Sequence, residues 1–192
     1  MTYSSHLRPS LVLWLAIAAD AAGAGRASAI TGILALKRPG KNMMDSNESK
    51  LGYEISETYP VSPQRVFGAL TDATVLKRIW GVQQIAVDAR VGGKAIAEYI
   101  AGGQDWSFTI TYTEVVPDQS LRWITHFKNF PAKETKVMAL LKEVDDGTEL
   151  TIRMENFETA GERDANRQAW QSGLATLAGI LGSEQSYQPS NS

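Results

Sequence analysis

After residue 50 the spacing of apolar positions changes three times, and each change marks an element. "YEISETYPV" alternates weakly up to Pro60 and predicts a first strand at about 51–59. In "SPQRVFGAL", Ser62 stands as N-cap and Pro63 at the first helical position, with Val66, Phe67 and Leu70 on one face of a short helix. "TDATVLKRIW" reads as a second short helix, apolar at Val75, Leu76, Ile79 and Trp80 and stopped by Gly81.

The period then becomes two. "QIAVDARV" puts Ile85, Val87, Ala89 and Val91 on one face, Gly92-Gly93 turns the chain, and "KAIAEYI" follows as a strand. After a Gly102-Gly103 turn, "WSFTITYTEVV" alternates Trp106, Phe108, Ile110 and Tyr112 with Ser107, Thr109, Thr111 and Thr113. "PDQS" turns into "LRWITHFK", a loop is expected over Asn129–Ala132, and "ETKVMALLKEV", "DDGT" and "ELTIRMENF" read as strand, hairpin turn and strand. Finally "ERDANRQAWQSGLATLAGIL" carries Trp170, Leu174, Leu177 and Leu181 at steps of four, three and four, an apolar helical stripe that begins polar at Arg163 and Asn166. A six- or seven-stranded antiparallel sheet with one aromatic face needs a cover, and this helix is the element long enough to supply it.

Residues 1–49 differ from the rest. "LVLWLAIAADAAGAG" is apolar but broken by Asp20 and Arg26, short of the roughly 18 apolar residues a spanning helix needs. The segment is read first as a disordered or mis-started extension, with translation beginning at Met43 or Met44. Second comes a signal peptide with Arg8 before an apolar Leu11–Ala19 and "ASA" at 27–29, and last a membrane anchor. The working domain is placed at 50–183, with a disordered tail at 184–192. A cytoplasmic location is expected, or export if residues 1–29 are a signal.

Of the 192 residues, 43% are apolar and 21% charged, and the net charge is −2, a composition with no basic stripe for nucleic acid. With no cysteine and two histidines, His6 and His126, disulfides, thiolate metal sites and a cysteine nucleophile are excluded.

The segments "YPVSPQRVFGALTDATVLKRIWG", "DARVGGK", "TEVVPDQSLRW", "DDGTELTI" and "AWQSGLATLAGIL", in this order and spacing, resemble the START-like (SRPBCC) superfamily. Within it they are similar to homologues of the activator of the heat-shock-protein-90 ATPase, over about residues 52–182. The resemblance implies an α+β helix-grip fold, a curved antiparallel sheet around a long C-terminal helix with two short helices after the first strand. It also implies a cavity between sheet and helix. Most members of the superfamily bind hydrophobic small molecules or lipids, some are polyketide cyclases or aromatases, and the namesake stimulates a chaperone ATPase. Three positions depart from the family's pattern. Ile79-Trp80 stands where paired tryptophans are frequent, Met154 where a histidine is common, and Ala169 where a glycine often precedes the tryptophan.

Candidate chemistry is sparse. In "LRWITHFK", His126 has the parity of Arg122, Ile124 and Lys128 and is expected on the solvent side. Glu114 shares the parity of Tyr112 and is expected at the rim of the apolar face, with a buried acid of raised pKa as the alternative. Tyr112 either packs or offers its phenol to a ligand. Gly92-Gly93-Lys94 lacks the spacing of a phosphate loop and leads into a strand, so it is a turn, as is Asp145-Asp146. No catalytic residue, metal site or cofactor is assigned, and neither nucleic acid nor membrane is expected as a partner.

The expected function is non-catalytic binding of a hydrophobic or aromatic small molecule, with Phe67, Trp80, Trp106, Phe108, Ile110, Tyr112, Trp123, Met154, Trp170 and Leu174 lining the cavity. The alternatives are a chaperone ATPase-activator role and a cyclase- or hydrolase-type enzyme using Glu114, Tyr112 or Arg163. A volume of roughly 300 Å³ or more between helix and sheet favours a ligand, and a close-packed interior favours a structural or partner-binding role.

Overall fold

The computed structural model describes residues 51–185 apart from 102 and 129, so the expectations for 1–49 and for the tail lie outside the described residues. Seven strands run in the order β1 (Leu51–Tyr59), β2 (Gln84–Val87), β3 (Lys94–Ala101), β4 (Gln104–Val116), β5 (Ser120–Phe127), β6 (Phe130–Val144) and β7 (Gly147–Phe157). Helices α1 (Pro63–Thr71) and α2 (Ala73–Trp80) lie between β1 and β2, and α3 (Ala160–Gln185) ends the described chain. The strands pair antiparallel in the order β1-β7-β6-β5-β4-β3-β2. This is the helix-grip α+β architecture.

The two short helices are punctuated by local chemistry. Ser62 starts α1 as N-cap, but through its backbone, whose carbonyl accepts from the Arg65 N–H at 3.0 Å; its side chain makes no cap bond. Asp72 caps α2 with its carboxylate, which accepts from the Val75 N–H at 2.9 Å. Gly81 ends α2 in the left-handed conformation at φ 66°.

Leu150 and Ile152 of β7, Leu177 of α3 and Val66 of α1 are fully buried together. All four stripe residues of α3 are buried, each contributing about 1.5–3 kcal/mol. The polar start of the stripe is a contact. Tyr53 Oη donates to Asn166 Oδ1 at 2.6 Å and lies 3.0 Å from Met154 Sδ, which ties the early turns of α3 to β1 and β7. Tyr59 Oη donates to the Leu174 carbonyl at 3.3 Å farther along.

Three expectations need correction. The strand read through Val91 ends at Val87, and Val91 is 66% exposed. The reversal closes where the Asp88 N–H donates to the Lys94 carbonyl and the Gly93 N–H to Arg90, so Asp88–Gly93 is a wide turn. The loop expected over Asn129–Ala132 is largely strand. β6 starts at Phe130, paired with Phe127 beyond a register shift next to His126. The third concerns Glu114. Tyr112 faces Trp123 across the ladder but Glu114 faces Arg122, so Thr113 is the extra residue of a bulge and the parity reverses there. Glu114 therefore leaves the apolar face, accepting from Ser120 Oγ at 2.9 Å and Arg122 Nε at 3.1 Å, and Val115 turns toward the core instead.

Candidate ligand pocket

Where α3 crosses the middle strands, the interior is not filled. Short side chains meet there. Thr125 of β5 and Thr135 and Val137 of β6 lie on the sheet side, and Ala169 and Gly173, one turn apart on the same face of α3, lie on the helix side. Around them stand large ones, Trp80, Phe108, Trp123 and Trp170. Trp80 meets Phe108 edge-on at 5.5 Å and Trp123 lies 6.3 Å from Trp170. The space left has a volume of about 40 Å³. A second void of about 10 Å³ lies alongside, bordered by Tyr112 and Leu174. The two share Ile79, Trp80, Ile110, Trp123, Trp170 and Gly173 as walls.

The larger void is well under the roughly 300 Å³ set above as the mark that favours a ligand, so its volume in this form does not meet that mark, although it exceeds the roughly 10–15 Å³ that one water needs. The indole rings of Trp80, Trp123 and Trp170 take up room along its border. Gly173 lets α3 lie close to α2, since a Cβ there would lie 3.0 Å from Ile79 Cγ2.

Of the ten residues expected to line a cavity, Trp80, Phe108, Ile110, Trp123, Met154 and Trp170 border the larger void, and Tyr112 and Leu174 border the smaller. Phe67 packs half-buried against the core and borders neither. Trp106 stacks on Tyr99 at 6.3 Å and lines a surface cleft with Gln83, Glu98 and Lys128. Tyr99, Thr125, Thr135, Ala169 and Gly173 were not among the ten. The parity of "LRWITHFK" already put Thr125 inward beside Trp123, but a reading that looks for large apolar walls passes over the small residues that make the room.

The polar groups proposed for chemistry do not converge. Glu114 is on the outer side with Arg122, Arg163 pairs with Asp164 at 2.8 Å, and His126 is exposed as its parity implied. Only Tyr112 of the three enzyme candidates faces inward, at 2% exposure. Among the described residues no three His, Asp or Glu side chains gather as a metal site, and no helix is long and apolar enough to cross a membrane.

Burial pushes the phenols of Tyr99 and Tyr112 up to about 12 from 10.0 and raises those of Tyr53 and Tyr59 as well. A phenol held protonated in the native state loses its proton earlier when unfolded. The stabilisation is therefore complete below about pH 10 and is lost as pH rises from about 10 to 12. The urea midpoint is expected to fall across that interval, and less steeply in Tyr112→Phe; a midpoint level to pH 11.5 would contradict the burial of these hydroxyls.

Residues 60–182 match the family model described as "Activator of Hsp90 ATPase homolog 1-like protein". The chain belongs to this family. No curated protein matches it. Among solved structures, a Chromobacterium violaceum protein is 25% identical, with 68% of this chain and 96% of that one covered at a TM-score of 0.60. A Nitrosomonas europaea protein is 23% identical, covering 75% and 100% at 0.60, and a Staphylococcus aureus protein of unknown function is 18% identical, covering 71% and 96% at 0.61. The last two show the shared fold alone. Met154 is 2% exposed and borders the larger void. It offers the void a thioether and no titratable group.

Proposed function

We propose that this chain binds a small, mostly apolar molecule between α3 and the middle strands. The observation that carries the reading is the unfilled space lined by Trp80, Phe108, Trp123, Met154 and Trp170, next to a second void that shares its walls. In its present form the space holds water-sized molecules; a cavity of about 150 Å³ accommodates a benzene ring. Trp80 supplies the missing volume. It is half-buried, closes α2, and stands in the wall common to both voids. Turning its ring outward joins them, a side-chain change of the kind that commonly accompanies binding.

The test is a thermal-shift series with toluene, indole and naphthalene, paired with Ala169→Leu, which extends a side chain into the space from a helical position that leucine suits. Ligand at about one hundred times its Kd adds about 2.7 kcal/mol, a rise of several degrees in Tm. The rise is expected in the parent and absent in the folded Ala169→Leu variant. No rise with any of the three in the parent would end the proposal.

A further inference from the structure

This inference rests on the pocket reading and concerns what the pocket selects. Thr125 and Thr135 are register partners on β5 and β6, only 6% and 4% exposed, and both line the larger void. No hydrogen bond to either hydroxyl is present among the described residues, yet no buried side-chain oxygen is both sealed off and unpaired. Each of the two oxygens therefore keeps some accessible surface, and the void is the space that both residues line. They form a pair of polar groups on one wall of a space whose other walls are aromatic, aliphatic or thioether. The Tyr99 phenol and the indole N–H groups are the other hydrogen-bonding side-chain groups along its border, and no Lys, Arg, His, Asp or Glu lines it.

We infer that the pocket is selective for uncharged ligands with one hydrogen-bonding group, such as a phenol, an alcohol or a ketone, seated with that group on Thr125 and Thr135. A threonine hydroxyl donates and accepts, and its hydrogen rotates to suit, so two neighbouring ones serve either polarity. A hydrocarbon of the same shape displaces water from both hydroxyls and leaves them unpaired, which costs more than an average hydrogen bond contributes. A carboxylate fares worse, because an ionised group enters a space with no cation to meet it.

The test compares phenol, toluene and benzoate, close in size, by calorimetry on the full chain and on the Thr125→Val/Thr135→Val double variant. Valine keeps the β-branched shape that suits a strand, and circular dichroism checks the fold. Phenol is expected to bind the parent about tenfold more tightly than toluene, with benzoate showing no binding. In the double variant toluene is expected to equal or exceed phenol. If toluene and phenol bind equally in both proteins, or benzoate matches phenol, the selectivity inference falls while the pocket reading stands. If neither toluene nor phenol binds the parent, the space holds water alone and both readings fall.

Discussion

Gly147→Ala is expected to lower the unfolding free energy by about 3–5 kcal/mol, among the largest effects any single substitution has on this fold. Gly147 begins β7 at φ 133°, a backbone conformation that side-chain-bearing residues rarely adopt. A Cβ there would lie 2.1 Å from the Tyr59 carbonyl oxygen, 2.8 Å from Pro60 Cα and 2.9 Å from the Val61 N. All three are backbone atoms, so no rotamer change relieves the clash. The segment hit is where β1 gives way to α1, held by Thr148 Oγ1 donating to the Val61 carbonyl at 2.6 Å. Gly92→Ala separates the two causes. It has φ 78° with nothing within 4 Å of the added Cβ, so about 1 kcal/mol of backbone cost alone is expected. Urea denaturation of the pair checks this; equal midpoints would mean that the close approach at Gly147 carries no weight.

Trp170→Ala is expected to cost about 3–5 kcal/mol and, in the same protein, to enlarge what the pocket accepts. The ring is 9% exposed, sits against Trp123 and forms part of the wall between the two voids. Removing it merges them into one apolar space. Naphthalene is therefore expected to raise the Tm of Trp170→Ala more than that of the parent, offsetting part of the loss. A variant that is destabilised but gains nothing from naphthalene would show that the sheet and helix collapse into the gap, as close-packed cores sometimes do.

The order and nature of the elements were legible from periodicity because each face here is either dry or wet. Phe108, Ile110 and Tyr112 alternate with Thr109 and Thr111, and the first three are buried. Trp170, Leu174, Leu177 and Leu181 give α3 its buried stripe for the same reason. Parity is a relative coordinate, however. It carries forward along a strand only until a residue is inserted, and the bulge at Thr113 moved Glu114 to the other side with no local signal in "TYTEVV". The pocket was only half legible. Its large walls are conspicuous, and Trp106 and Phe67 look equally conspicuous while bordering neither void. What makes the space is the meeting of Thr125, Thr135, Ala169 and Gly173, residues small enough to pass as background and far apart in the chain.

The strand order has a kinetic consequence. Strands β2 to β7 follow one another by hairpins, whereas β1 must find β7, with Ser56 and Thr151 hydrogen-bonded across 95 positions of sequence. Closing a loop of that length costs about 3 kcal/mol more entropy than closing a hairpin of a few residues, since each doubling adds about 0.6 kcal/mol. The hairpins can therefore nucleate locally, while the edge that anchors α3 through Tyr53 and Tyr59 is entropically the most expensive to close. Until that long-range pairing forms, the helix lacks both hydroxyl tethers, and the space between it and the sheet has no defined shape for a ligand to recognise.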